Sequence, residues 1–208
     1  MAYAFAGASN QHLTCAAPVA SAPLTVAAWF WVNSTSGNQA IATLTAGNTA
    51  QRFLLYTAGG QVFWFVNDTG FSQVSISAGL AANTWHHACA VESATNSRVV
   101  YANGTAGSAS TGTRSPASVD EMYVGIDRLN NSFSFPMTGR VAEVGVWSAA
   151  LTAAEVRSLS QGVACRLVRP QSLVFYAPLI RSLQDLARNA TITNGNSATV
   201  EVHPRIYA

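Results

Sequence analysis

The chain has 208 residues, of which 49% are hydrophobic and only 10% are charged, and its formal net charge is +2. This length and composition allow a large buried core without disulfides or metals. All eleven positive charges are arginines, and they are scattered along the chain, so no basic stripe suited to nucleic acid is expected. The chain has no run of about 18 apolar residues, so no membrane span is predicted.

The first third of the chain predicts short strands separated by Gly, Asn and Ser. Residues 24–32 are apolar on both alternating sets, which is typical of a central strand covered on both faces. Residues 40–45, 53–57 and 61–67 continue the series. A turn at residues 58–60 predicts that the last two form a hairpin.

The middle of the chain continues this pattern and adds one helix. Two strands flank a turn at residues 93–96, and two more are predicted at residues 122–125 and 139–147. Residues 106–118 are small, polar and without a pattern, which predicts a long flexible loop. A helix is predicted over residues 151–159, with Thr152 and Glu155 as a capping box and Gly162 at its end.

The character of the chain changes after Cys165. Residues 166–170 form a short basic hinge, residues 172–178 predict a strand, and residues 200–207 predict a final strand or an extended arm. This tail has too few apolar residues to fold alone. We therefore divide the chain into a domain at 1–165 and an extension at 166–208 that packs on that domain or on a neighbouring subunit.

Two motifs resemble a known family. In the first, Trp85-His86-His87 opens a strand whose hairpin ends at Asn103-Gly104; in the second, the strand at 139–147 reads Gly-Arg-Val-x-Glu-Val-x-Val-Trp and precedes a Leu-Thr-x-x-Glu-Val helix. Their order resembles the laminin-G-like, concanavalin-A-like family over residues 1–163. The resemblance implies an all-β fold, a two-sheet antiparallel jelly-roll sandwich with one short helix and a C-terminal arm. This fold serves lectins, glycanases, adhesion modules and virion proteins alike.

Catalysis is not expected. Glycanases that the fold resembles carry Glu-x-Asp-x-(x)-Glu on one strand, and this chain has no such triplet. Its carboxylates stand alone or at neighbouring positions that point to opposite faces of a strand. The same alternation separates His86 from His87, so they do not chelate one metal ion together. His87 shares a face with Trp85 and is predicted to be a hydrogen-bonded core histidine beside a tryptophan. We therefore predict a protein that is not an enzyme and has no catalytic residues.

Calcium is the one cofactor that the family resemblance implies. Its hard oxygen ligands would come from loops after strands, and the candidates are Asp68, Asp127 and Asn130. Structural turns around Asx side chains explain these residues equally well. No other cofactor is expected.

Ligand and partner contacts are predicted at two places. Sugar binding needs exposed aromatic rings beside polar side chains, and Phe133 and Phe135 follow Asp127 in a polar loop. In the extension, the candidates for contact with another subunit or protein are Arg166, Arg169, Arg205 and Tyr207.

The whole length, a sandwich followed by a tail that contains residues 174–179 and 203–207, also resembles small laminin-G-like proteins encoded among the structural genes of tailed bacteriophages. This resemblance implies a virion structural protein, in the first place a capsid decoration or cement protein that binds the major capsid protein or other virion proteins as a homo-oligomer. Such a chain is made in the host cytoplasm, which agrees with an N-terminus that shows no signal peptide. The alternative is a carbohydrate-binding module on a phage tail or in a bacterial adhesin. Nucleic acid and membrane partners are not expected.

Overall fold

The computed structural model describes residues 2–206, which form two β-sheets with one α-helix. The strands are β1 (Ala2–Phe5), β2 (His12–Ala16), β3 (Leu24–Val32), β4 (Gln39–Thr45), β5 (Arg52–Ala58), β6 (Gln61–Asn67), β7 (Phe71–Ser77), β8 (Trp85–Ala94), β9 (Ser97–Ala102), β10 (Thr105–Ala106), β11 (Glu121–Val124), β12 (Asp127–Leu129), β13 (Ser132–Ser134), β14 (Gly139–Trp147), β15 (Leu173–Ala177), β16 (Thr193–Gly195) and β17 (Thr199–Glu201). The helix α1 spans Ala153–Ser160, and 3-10 turns span Gly7–Ser9, Cys165–Leu167 and Pro170–Ser172.

Every strand pair in the described part of the chain is antiparallel. Sheet A has the order β10-β9-β8-β3-β14-β1-β17, and β15 also pairs with β14. Sheet B has the order β16-β2-β11-β4-β5-β6-β7, and β12 and β13 form a separate hairpin. The predicted fold, a two-sheet jelly-roll sandwich with one short helix, is confirmed.

The main core lies between the sheets and follows from the two-residue period of the strands. On β6, Val62, Trp64 and Val66 point inward and are fully buried, while the alternate residues point to the outer face. Each buried apolar side chain contributes about 1.5–3 kcal/mol. The indole Nε1–H of Trp64 donates to Glu92 at 2.8 Å, so its polar atom is satisfied inside the core.

A second, smaller core covers part of the outer face of sheet A. Trp147 and Cys89 of the sheet pack there with Val156 and Leu159 of α1. The helix has the predicted capping box, in which Thr152 accepts from the N–H of Glu155 and the Glu155 carboxylate accepts from the N–H of Thr152. Gly162 follows it with φ +91°, the left-handed conformation that ends helices at low cost in glycine.

The segment after residue 165 adds strands to both sheets. β15 pairs with β14, β16 with β2, and β17 with β1. Of the predicted final strand at 200–207, the structure shows strand only up to Glu201, and Tyr207 lies outside the described residues.

Residues 106–118, predicted to be a long flexible loop, form specific hydrogen bonds with both sheets. Ser110 forms a two-way backbone bridge with Arg98, and the N–H of Arg114 donates to the Thr95 carbonyl at 2.7 Å. The Ser110 hydroxyl also lies 3.0 Å from that of Ser72 on β7. The segment therefore runs from the edge of sheet A to the edge of sheet B.

Among residues 2–206, no helix has the length and apolar character that crossing a membrane requires.

Candidate functional site

The β12–β13 hairpin lies on the outer face of sheet B and is hydrogen-bonded to β4. The hydroxyls of Thr43 and Thr45 on β4 donate to the carbonyls of Ile126 at 3.2 Å and Arg128 at 3.1 Å. The N–H of Asn131, in the hairpin turn, donates to the Gly47 carbonyl at 2.8 Å. These bonds hold the hairpin against β4, so aromatic residues that border it are presented beside the sheet.

On one side of the hairpin lies a cleft with aromatic walls, which we call the aromatic cleft. It encloses about 170 Å³ and is lined by Arg52, Leu54, Tyr56, Phe65, Gln73 and Phe135. The rings of Tyr56 and Phe63 stack with centroids 4.7 Å apart, and Phe135 tilts onto Tyr56 at 5.4 Å. Phe65 stacks on Phe71 at 5.5 Å, and Phe71 is 66% exposed.

Polar groups border these rings at fixed positions. The Tyr56 hydroxyl donates to the Gln73 side-chain carbonyl at 3.0 Å, which leaves the amide nitrogen as the donor end of this exposed side chain. The Arg52 guanidinium lies 5.0 Å from the centroid of the Phe65 ring, within the range of a cation–π contact. The cleft thus combines aromatic faces with two kinds of hydrogen-bond donor.

Asp127, the first residue of β12, is fully buried and contacts Arg52. Its Oδ2 is 3.3 Å from Arg52 Nε and accepts from the Ser134 hydroxyl at 2.9 Å. Burial raises the pKa of Asp127 and the neighbouring guanidinium opposes this; burial likewise lowers the pKa of Arg52 against the pull of Asp127. Desolvation therefore outweighs attraction for both partners. Asp127 Oδ1 has no hydrogen-bond partner among the described residues.

A second group of side chains lies on the other side of the hairpin. The Phe133 ring is 42% exposed and lies 4.8 Å from the His12 ring, and Arg128 Nη1 donates to the Tyr123 hydroxyl at 2.6 Å. A hollow of about 150 Å³ next to Arg128 has mostly polar walls, which include Asn48, Asp120, Glu121 and Asn131. Phe133 and Phe135 were predicted to contact a ligand together, but the structure places them on two different surfaces.

The structure does not join the predicted calcium ligands in one site. Asp68 accepts from the N–H groups of Gly70 and Ser115, both at 3.0 Å, and lies 3.6 Å from Arg114. Burial raises the pKa of Asp68, but these backbone hydrogen bonds outweigh it, and the net shift is downward. Asn130 is exposed, with φ +50°. Because each carboxylate is held by its own arginine, these residues do not fit a shared calcium site.

In the part of the chain that the structure describes, no cluster of three or more His, Cys, Asp or Glu side chains is arranged to hold an ion. The calcium assignment rests on sequence alone.

The predicted contact residues of the extension have different surroundings. Arg169 is tied to α1 through Glu155 at 2.6 Å, whereas Arg166 and Arg205 are exposed. Arg166 lines a pocket that is described below. Tyr207, the fourth candidate, lies outside the described residues.

Most residues of the aromatic cleft were not predicted from the sequence. Of its lining, only Phe135 was among the predicted ligand residues. The available signal was β6, where Phe63 and Phe65 alternate with Val62, Trp64 and Val66, so that both faces are apolar. Such a strand either has both faces covered or presents aromatic rings on one of them.

Comparisons with solved structures agree with the fold. A heptameric SAP-like pentraxin from Limulus polyphemus has 19% identity, covers 97% of this chain and 94% of its own, and gives a TM-score of 0.70. A proposed carbohydrate-binding protein from Bacteroides ovatus has 20% identity, with 96% and 61% covered and a TM-score of 0.61. The carbohydrate-binding module of a Ruminococcus gnavus sialidase, bound to α2,3-sialyllactose, has 17% identity, with 66% and 82% covered and a TM-score of 0.58.

Sequence comparison identifies the family. No curated protein matches the chain. The profile of the Laminin_G_3 family, described as the concanavalin A-like lectin/glucanases superfamily, matches residues 6–157. The chain therefore belongs to the concanavalin A-like lectin/glucanase superfamily.

Proposed function

We propose that this protein is a non-catalytic carbohydrate-binding module and that the aromatic cleft is its binding site. The observation that carries the proposal is the placement of the Tyr56, Phe65 and Phe135 rings beside the Gln73 amide and the Arg52 guanidinium. Sugar rings present C–H faces that pack on aromatic rings, and their hydroxyls accept from amide and guanidinium N–H groups.

The dimensions of the cleft suit a small part of a glycan. Its volume of about 170 Å³ is below the range of pockets that enclose drug-sized ligands, so one sugar ring enters and the rest of a glycan extends outward. Phe71, stacked on Phe65 and exposed, continues the platform toward the edge of sheet B. Shallow burial predicts weak affinity for a single site, with Kd on the order of 0.1–1 mM.

The surroundings of the cleft support binding rather than hydrolysis. Glycoside hydrolysis uses two carboxyl groups about 5–10 Å apart on either side of the scissile bond. None of the described residues that line the cleft is a carboxylate, and Asp127 beneath it is fully buried and directed at Arg52. The comparisons support the same proposal only through the fold, since the Ruminococcus gnavus module, bound to sialyllactose, has a similar sandwich.

The predicted location in a virion and the predicted capsid partner have no counterpart in these comparisons, and they stay predictions from the sequence. A glycan-binding module is compatible with a particle surface, a tail or an adhesin. Density-gradient sedimentation of particles, with mass spectrometry of the particle band, would count the copies of this chain per particle, and absence of the chain from the band would argue against a location in a virion.

The proposal is tested with a glycan array probed by the labelled full chain, followed by calorimetric titration of the best hits. Phe65→Ala and Gln73→Ala should each lower affinity about tenfold or more, because each removes one type of sugar contact, which is worth about 1.4 kcal/mol or more. Gln61→Ala is the matched control: Gln61 lies on the same face of β6 but does not line the cleft. Hits that survive both cleft substitutions, or an array without hits, would overturn the proposal.

A further inference from the structure

Exposed apolar side chains are concentrated in the C-terminal extension. Of the seven large hydrophobic side chains that are exposed within residues 2–206, five follow residue 166. They are Leu167, Ile180, Leu186, Val200 and Val202. Scattered apolar side chains are ordinary on a protein surface, whereas a concentration of them marks a contact surface.

Two of these side chains line a pocket, which we call the C-terminal pocket. It encloses about 400 Å³ and has mainly apolar walls. The lining residues are Glu143, Ala164, Arg166, Tyr176, Pro178, Ile180, Leu186, His203, Pro204 and Ile206. Ile180 and Leu186 are each about half exposed at its rim, so the pocket is wide enough and apolar enough for a large side chain of a partner.

A buried polar cluster fixes one wall of this pocket. Glu143 is 3% exposed and lies at the bulge of β14 with φ +53°, a conformation that costs a non-glycine residue about 1–3 kcal/mol. Its carboxylate accepts from the Tyr176 hydroxyl at 2.7 Å and lies 3.2 Å from His203 Nε2. The same nitrogen is 3.0 Å from the Pro178 carbonyl. These contacts hold the segment around His203 in place, so the pocket is formed before any partner arrives.

Charge is distributed unevenly between the two parts of the chain. Residues 166–208 contain five arginines and two acids, a net charge of +3, whereas residues 1–165 contain six arginines and seven acids, a net charge of −1. Part of this excess is already paired, because Arg169 contacts Glu155 at 2.6 Å, and the Glu201 side chain on β17 is exposed. Asp185 is fully buried and accepts backbone N–H groups, and Glu201 lies 3.8 Å from Arg140. The exposed Arg166 is part of the pocket wall.

The extension also ends sheet A with an edge strand. β17 pairs with β1 on one side and is the last strand of that sheet in the described part of the chain. All three of its residues are exposed, and the chain continues from it into the pocket residues His203, Pro204 and Ile206. An edge strand accepts an extended segment of another protein through backbone hydrogen bonds.

We propose that the C-terminal pocket, with Arg166 in its wall, and the edge of β17 together form a docking surface for another protein, and that the docked element is an extended acidic segment which inserts an apolar side chain into the pocket. The partner segment is acidic because the extension carries excess positive charge. It has an apolar side chain because the pocket is apolar, and it is extended because it pairs with an edge strand. The surface belongs to sheet A, whereas the aromatic cleft belongs to sheet B, so it does not depend on glycan binding.

The test uses a fluorescein-labelled peptide of about ten residues that alternates glutamate and leucine, titrated with the full chain and followed by anisotropy. Two matched peptides replace every glutamate by lysine or every leucine by serine. The glutamate–leucine peptide should bind at least tenfold more tightly than either, and its affinity should fall with added salt because exposed charges are screened. Equal binding of the lysine peptide, or no binding of the glutamate–leucine peptide, would refute the proposal.

Substitutions in the chain locate the binding. Arg166→Glu and Leu186→Ser should each weaken binding about tenfold, and both side chains are exposed, so the fold is retained. Arg157→Glu, an exposed arginine on α1, is the matched control and should leave binding unchanged. If circular dichroism shows that Leu186→Ser misfolds, Ile180→Ser replaces it. Unchanged affinity in Arg166→Glu, or sedimentation showing that this surface is occupied by a second copy of the chain, would contradict the assignment.

Discussion

At the scale of single residues, His87 is a histidine buried without a charged partner. It lies on the outer face of sheet A with its ring 5.5 Å from that of Trp29, and its Nδ1 has no hydrogen-bond partner among the described residues. The prediction of a core histidine beside a tryptophan holds for burial and for the aromatic contact, which comes from the cross-strand partner Trp29. The hydrogen bond that the prediction included is not found at Nδ1. Burial lowers the pKa of His87 to about 3. The neutral imidazole is thus part of the folded state.

This burial makes stability depend on pH. The pKa of an unfolded histidine is about 6.5, so between pH 6.5 and about 3 the unfolded chain binds a proton that folded His87 does not. Stability should fall as the pH is lowered through this window, by up to about 1.4 kcal/mol per pH unit from this group. Urea unfolding at pH 7, 5.5 and 4.5 should show a steep loss in the natural chain and a shallower one in His87→Leu.

The comparison of slopes isolates His87 from other groups. Asp127 acts in the opposite sense, because its raised pKa means that the folded state takes up a proton first as the pH falls. Asp127 is present in both proteins and cancels in the difference. Parallel pH profiles for the natural chain and His87→Leu would show that His87 becomes protonated without cost.

At the scale of elements, Asp68 ties the segment 106–118 to the turn between β6 and β7. Its two oxygens accept the N–H groups of Gly70 and Ser115, so one side chain holds two parts of the chain that are distant in sequence. Asp68→Ala should release the segment near Ser115 and speed amide hydrogen exchange there, with little change in global stability because the site is partly exposed. Asp120→Ala, with an exposed side chain, is the control. Unchanged exchange at Ser115 would show that Asp68 does not order this part of the segment.

The strands predicted from the sequence are those with an apolar run or an alternation of apolar and polar residues within the strand itself. The apolar run of β3 and the alternation in β6 and β14 predict these strands to within one residue. β7 was missed, although Val74 and Ile76 alternate with serines there. The three-residue strands β12 and β13 have no such signal, because the Thr43 and Thr45 hydroxyls on a distant strand hold them.

The aromatic cleft, like β12 and β13, depends on contacts between residues that are distant in sequence. Phe135 was predicted because it lies in a polar loop, but Tyr56, Phe65 and Gln73 come from three different strands. Their proximity depends on strand register, in which Leu54 pairs with Phe65 and Phe65 with Gln73. Sequence patterns indicate which face a residue occupies, whereas register decides which residues meet there.

At the scale of the whole molecule, the extension contributes to the core of the sandwich. Val174, Phe175 and Tyr176 of β15 are buried, and the Trp147 indole donates to the Val168 carbonyl at 2.8 Å. Burial of each large apolar side chain contributes about 1.5–3 kcal/mol, and a typical domain is stable by only about 5–15 kcal/mol. The extension is thus expected to be required for folding as well as for the proposed docking.

Two truncations test this expectation. A chain that ends at Cys165 loses β15, β16 and β17 and should show no cooperative thermal transition by calorimetry. A chain that ends at Val202 loses only His203 and the residues after it. It should remain folded and lose roughly 1–3 kcal/mol, because the buried Glu143 carboxylate keeps its bond to Tyr176 but loses its contact with His203. If the chain that ends at Cys165 shows a cooperative transition close to that of the full chain, residues 166–208 are a separable arm. The docking surface would then belong to an element that leaves the sandwich when it binds.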